Sequence, residues 1–208
     1  MVTLSLVGGL LFVASNQAQG ANTVPFTERF SANANGAVVT IGNNSLSCAP
    51  SNNCTNAQNG GSFDNNSFIM QNQDVDSDSS TFNSSSSQLD LPAGATVLWA
   101  GLYWGARLNA GGNGQAATQF GPRTSMKFKT PGMSDYQTLT TQAEFGPNSS
   151  SSNAYQEFVD VTALVQQAGN GDYWGANVAA GTGYDRYGGW ALTVAYQAPG
   201  LPLRNLSV

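Results

Sequence analysis

Histidine is absent from the 208 residues, cysteine occurs twice, and only 9% of the side chains are charged. An average soluble domain carries about 25% charged residues. Without histidine there is no Ser-His-Asp triad and no His-ligated zinc, and two thiols cannot build a four-sulfur metal site. Seven basic against twelve acidic residues leave a net charge of −5. That leaves no basic footprint for a phosphate backbone, so nucleic acid is not an expected partner. What the chain has instead is neutral polarity. Asn (21), Ser (22) and Gly (24) together make up about a third of it.

Long apolar runs are also missing. Val2–Ala14 is uncharged over thirteen residues, short of the ~20 a membrane helix needs but suited to the core of a secretory signal. Small and polar residues follow, with cleavage expected after Ala18, Gly20 or Ala21. We therefore read residues 1–21 as a signal peptide whose basic n-region is missing or clipped; the competing reading is a buried N-terminal strand. The mature chain, 22–208, is expected to be exported and not inserted in a membrane. Cys48 and Cys54, bracketing Ala49-Pro50-Ser51-Asn52-Asn53, then read as a loop-pinning disulfide. Asn-x-Ser/Thr triplets at Asn43, Asn53, Asn65, Asn83, Asn148 and Asn205 are what this composition generates by chance, and they carry no argument.

Strand signals dominate the remaining ~190 residues, enough for one domain. They lie at Ala37–Ile41, Phe68–Gln73, Thr96–Trp104, Ser125–Thr130, Gln137–Phe145, Tyr155–Val161, Tyr173–Ala179, Trp190–Gln197 and Leu203–Val208. Gly, Pro, Asn or Ser clusters bound each one. This pattern predicts an all-β, antiparallel, jelly-roll-like sandwich with at most one short helix, at Val161–Ala168, capped by Thr162. In Ser125–Lys129, Met126 and Phe128 point one way and the polar residues the other. Val97–Trp104 has no polar face and should lie mid-domain, covered on both sides, with Trp190–Tyr196 beside it. Ser84–Ser87 and Ser149–Ser152 read as surface loops, and Asn43–Asn66 as a long polar excursion. Leu203–Val208 starts a strand without a polar tail, which suggests the truncated front of something longer.

Several phrases are similar to the N-terminal module of large secreted bacterial surface proteins that carry tandem immunoglobulin-like conserved repeat domains. They are Pro25–Phe30, Asp74–Asp78 with Thr81–Ser85, Leu91–Ala95, Val97–Gly105, Phe158–Thr162 and Gly188–Leu192. The resemblance spans nearly the whole mature chain. It implies an extracellular or cell-surface location and repeat domains downstream, with no active site.

Two constellations could bind something. Asp74, Asp76 and Asp78 alternate with Val75 and Ser77, and in a tight loop could converge on calcium, with Asp90 or a carbonyl completing the shell. The EF-hand reading fails because Ser79 and Ser85 stand where Gly and Glu would be needed; the alternative is a solvated turn. Tyr184-Asp185-Arg186-Tyr187, set between glycines, is the expected ligand patch, the competing reading being a turn clasping its own backbone. Trp99, Trp104, Trp190 and Tyr196 read as core. Glu28, Glu144, Glu157, Asp160, Asp172 and Asp185 offer no evident acid–base pair, and Glu157 and Asp160 should cap or face solvent. Gly111–Gly114 and Gly181–Gly183 lead into no helix and read as turns. The expected function is non-catalytic: an extracellular structural or adhesion module contacting polysaccharide or matrix polymer. The alternative is a carbohydrate-binding or accessory module of a carbohydrate-active enzyme.

Overall fold

A computed structural model describes residues 27–146 and 153–208. The signal-peptide reading, Asn148 and Ser149–Ser152 lie outside these residues. Twelve strands and two short helices are described: β1 (Ser31–Asn44), β2 (Leu46–Cys48), α1 (Asn52–Gln58), β3 (Met70–Asn72), β4 (Ser84–Leu89), β5 (Thr96–Arg107), β6 (Ser125–Lys129), β7 (Gln137–Thr140), β8 (Ala143–Phe145), β9 (Ala154–Asp160), α2 (Thr162–Ala168), β10 (Gly171–Ala176), β11 (Gly188–Gln197) and β12 (Leu203–Ser207). A six-stranded sheet runs β12-β1-β11-β5-β9-β8, a four-stranded sheet β4-β10-β6-β7, and β2-β3 form a ribbon. All the strand pairings are antiparallel. The chain passes repeatedly from one large sheet to the other, and the all-β sandwich-like fold expected from the turn-bounded strands is what forms. No helix among the described residues is long and apolar enough to cross a membrane.

The core follows from alternation. Leu102, Trp104, Met126, Phe128, Tyr173 and Leu192 are each no more than 1% exposed and meet between the sheets. β5 sits mid-sheet with β11 beside it, Trp190 opposite Trp104. A register shift leaves Leu98 unpaired, since Ala195 faces Trp99 while Tyr196 faces Val97. This bulge lets Val97 join the inner core while Trp99 turns outward. The outer face of β5 is covered at that end by an aromatic layer. Trp99 stacks between Phe30 and Phe158, with ring centroids 6.1 and 6.2 Å away, and the Arg29 guanidinium lies 4.0 Å over Phe158.

Four expectations need correction. Ser84–Ser87 is not a surface loop but part of β4, with Ser84 and Ser85 fully buried. The serines are small and can satisfy a donor: Trp190 Nε1 donates to Ser85 Oγ at 2.9 Å. Opposite Ser85, a Cβ on Gly175 would strike the same indole at 2.5 Å. The expected strand Gln137–Phe145 divides into β7 and β8 in different sheets, where Thr141 Oγ1 donates to Ala143 O and breaks the run. Two helices form rather than one, because Ser51 Oγ accepts from Cys54 N and starts α1 inside the cysteine loop. Thr162 does not cap α2. Asp160 Oδ1 accepts its amide at 2.9 Å, and its hydroxyl accepts from Ala100 N of β5 at 3.0 Å.

Candidate functional site

The outer face of the six-stranded sheet carries a trough of about 750 Å³. The pairing register builds it. One row across the strands is Asn44 (β1), Gly189 (β11), Gly105 (β5) and Gln156 (β9); the next is Gly42, Ala191, Tyr103 and Phe158. Neighbouring Ile41, Trp104 and Trp190 pack inward, so these residues face out. Four strands span about 14 Å and same-face rows lie about 7 Å apart, so the floor is long across the strands and narrow along them.

The floor is low at Gly42, Gly105, Gly189 and Ala191, which have little or no side chain. At Gly42 and Gly105, an added Cβ would also strike a neighbouring strand's carbonyl, at 2.2 Å from Trp190 O and 2.6 Å from Tyr155 O. Tyr103 stands on one long side, its ring 5.0 Å from Phe158. Tyr187, half exposed, stands on the other. Asn44 and Thr40 lie at the β1 end and Gln156 at the β9 end. No Lys, Arg, Asp or Glu is among the lining residues. A second cleft of about 390 Å³ shares Asn44 and Tyr187 with the trough and continues past them to Asn65 and Met70.

The expected Tyr184–Tyr187 patch divides. Arg186 is buried and clasps backbone: its Nε donates to Asn109 O at 2.7 Å and its Nη2 to Ala110 O at 2.8 Å. Burial and the nearby Arg107 lower its pKa. Asp185 has a left-handed φ of 55° and pairs with Arg107. Beneath this turn the two glycine-rich stretches pack backbone to backbone, Gly111 N donating to Thr182 O and Tyr184 N to Gly112 O. Of the four residues, Tyr187 alone lines the trough. Sequence reasoning missed the trough itself. Its signal was small residues on the same face of three strands, legible only once those strands are paired.

Asp74, Asp76 and Asp78 are brought into one loop, where its own residues, Ser84 of β4 and Tyr136 supply their hydrogen-bond donors. Asp74 Oδ1 accepts from Ser84 Oγ at 2.7 Å and from Thr81 Oγ1 at 3.2 Å; Thr81 Oγ1 also lies 3.1 Å from Asp76 Oδ1. Tyr136 donates to Asp76 Oδ2 at 2.5 Å, and Asp78 Oδ1 accepts from Ser80. Among the described residues, no group of three acidic or cysteine side chains is arranged to hold a metal ion. Asp90 lies at the opposite end of β4 from Ser84, about 20 Å along the strand. Burial opposes charge on Asp76, but hydrogen bonds from Tyr136, Asp78, Thr81 and Ser84 outweigh it and hold the carboxyl below its usual range. Burial, then Asp76, push the Tyr136 phenol well up.

Cys48 and Cys54 are joined, Cα atoms 5.9 Å apart, tying β2 to α1. Asp160 is exposed, and its Oδ1 accepts from the Thr162 amide at the start of α2. Glu157 is different: it is fully buried, not solvent-facing. It pairs across strands with Glu144, and one guanidinium, Arg123, bonds both. Burial raises the Glu157 pKa despite Thr141 and Arg123. Two carboxylates held by the same arginine, one inside the core, do not offer a facing acid and base to a glycosidic bond. Comparison with family models, with curated proteins and with solved structures finds no match.

Proposed function

We propose that this chain is a non-catalytic extracellular binding module, structural or adhesive in role, that contacts polysaccharide or matrix polymer through the trough of its larger sheet. The observation that carries this reading is the trough's lining: two tyrosines on opposite sides of a glycine–alanine floor, with Asn44, Thr40 and Gln156 supplying amides and a hydroxyl. Rings offer flat apolar contact to a sugar face, and amides pair with its hydroxyls. Such contacts are individually weak, and multiple copies on a surface would supply strength by avidity. The signal-like N-terminus, the cysteine pair and the resemblance to secreted surface proteins support an extracellular or cell-surface setting, with repeat domains downstream as structural partners. The reading as an accessory module of a carbohydrate-active enzyme would use the same trough.

The test is retention of the chain on beads bearing immobilised wall and matrix polysaccharides. Retardation by at least one polymer, weakened by Tyr103→Ala, is the expected result. Passage through every column at the rate of an inert protein would overturn the proposal.

A further inference from the structure

Resting on that reading, we infer that the trough selects an uncharged glycan, one chain wide, laid across the strands from Gln156 to Asn44 and leading past Tyr187 into the second cleft. Direction and width come from the register. Over β9 and β5 the floor is a single residue row, Gln156 and Gly105, with Tyr103 of the next row standing beside it; over β11 and β1 it takes in Gly189, Asn44, Ala191 and Gly42, and Tyr187 stands on the opposite side. Both ends carry carboxamides, and the second cleft opens beyond the Asn44 end, sharing Asn44 and Tyr187 with the trough.

The charge preference comes from where the nearby cations are committed. Arg107 lies behind Tyr187, its guanidinium carbon 5.9 Å from that ring, and is held by the carboxylate and carbonyl of Asp185. Arg186 lines the second cleft, but its guanidinium donates to three backbone carbonyls, those of Asn109, Ala110 and Asp185. Arg29, beside the Tyr103 hydroxyl, lies 4.0 Å over the Phe158 ring and is not among the lining residues. A uronate or sulfate in the trough would lose water and meet only amides, hydroxyls and rings, which do not repay the desolvation of a charge. The protein's net charge of −5 adds long-range repulsion.

Affinity electrophoresis tests this with matched polymers: hydroxyethylcellulose, galactomannan and dextran, each beside its carboxymethylated form. We expect retardation by a neutral polymer and at least tenfold weaker binding to its carboxymethylated partner. The difference should persist in 0.5 M salt, where a Debye length of about 4 Å removes long-range repulsion but not the desolvation cost. Tyr187→Ala removes one side, and Ala191→Leu raises the floor without the carbonyl collision a substituted glycine would create. Each should weaken binding about tenfold, with an unchanged melting temperature showing that the variants are folded. Equal or tighter binding of carboxymethylated polymers would overturn the charge selection while leaving a polysaccharide-binding module. Full retention by both folded variants would remove the trough from the proposal, and no retention of any polymer would overturn this inference and the function together.

Discussion

Glu157 and Asp76 respond to acid in opposite directions. Glu157 is buried with a raised pKa, so its folded form holds a proton more tightly than the unfolded chain does. Its contribution is therefore greatest below the unfolded value of about 4.3 and declines as pH rises through the raised one. Arg123 is what makes the charged form tolerable. Arg123→Met should cost about 3 kcal/mol at pH 8, the scale for removing one partner of a buried pair. The cost should shrink as pH falls and the carboxyl becomes neutral, a trend that urea midpoints at pH 5 and 8 would reveal. Asp76 has a depressed pKa; its stabilisation is present above the unfolded value of about 3.9 and is lost as pH falls through the depressed one. Asp76→Asn should cost about 1 kcal/mol at neutral pH and flatten the acid limb of the stability profile below pH 4. At the same scale, Ser85→Ala strands the buried Trp190 N–H, for an expected loss of about 1–3 kcal/mol by chemical denaturation.

At the scale of elements, the disulfide is local. It closes a short ring around the start of α1, so its removal frees little unfolded-chain entropy. Cys48→Ser with Cys54→Ser should cost about 2 kcal/mol and raise amide exchange in α1 and β2 while leaving the two large sheets protected. The Asp74–Asp78 carboxylates accept from protein donors, including Ser80, Ser84 and Tyr136, and a chelator is therefore expected to leave the melting temperature unchanged; a fall of several degrees on adding EDTA would reveal a bound cation. Alternation made β6 legible in advance, and β5 and β11 were readable as neighbours from their doubly apolar pattern. β4 was not legible: four consecutive serines have a loop's composition, and only the indole of Trp190 and the pairing with β10 turn them into a buried strand.

For the whole molecule, the sandwich leaves one face of its larger sheet partly bare, and function is proposed there. At one end that face is closed by Phe30, Trp99, Phe158 and Arg29; at the other it falls to glycine and alanine. The composition alone determined much of this protein's character: no histidine chemistry, no polyanion grip, a polar but weakly charged surface, and strands cut short by Gly, Asn and Ser. Those conclusions need only side-chain chemistry and local periodicity, which any stretch of sequence carries by itself. The tertiary structure alone decided that Gly42, Gly105, Gly189 and Ala191 form one floor, that Tyr187 separates from Arg186, and that Glu157 is buried on Arg123. These depend on register between strands far apart in the chain, and a shift of one residue would turn each side chain to the opposite face.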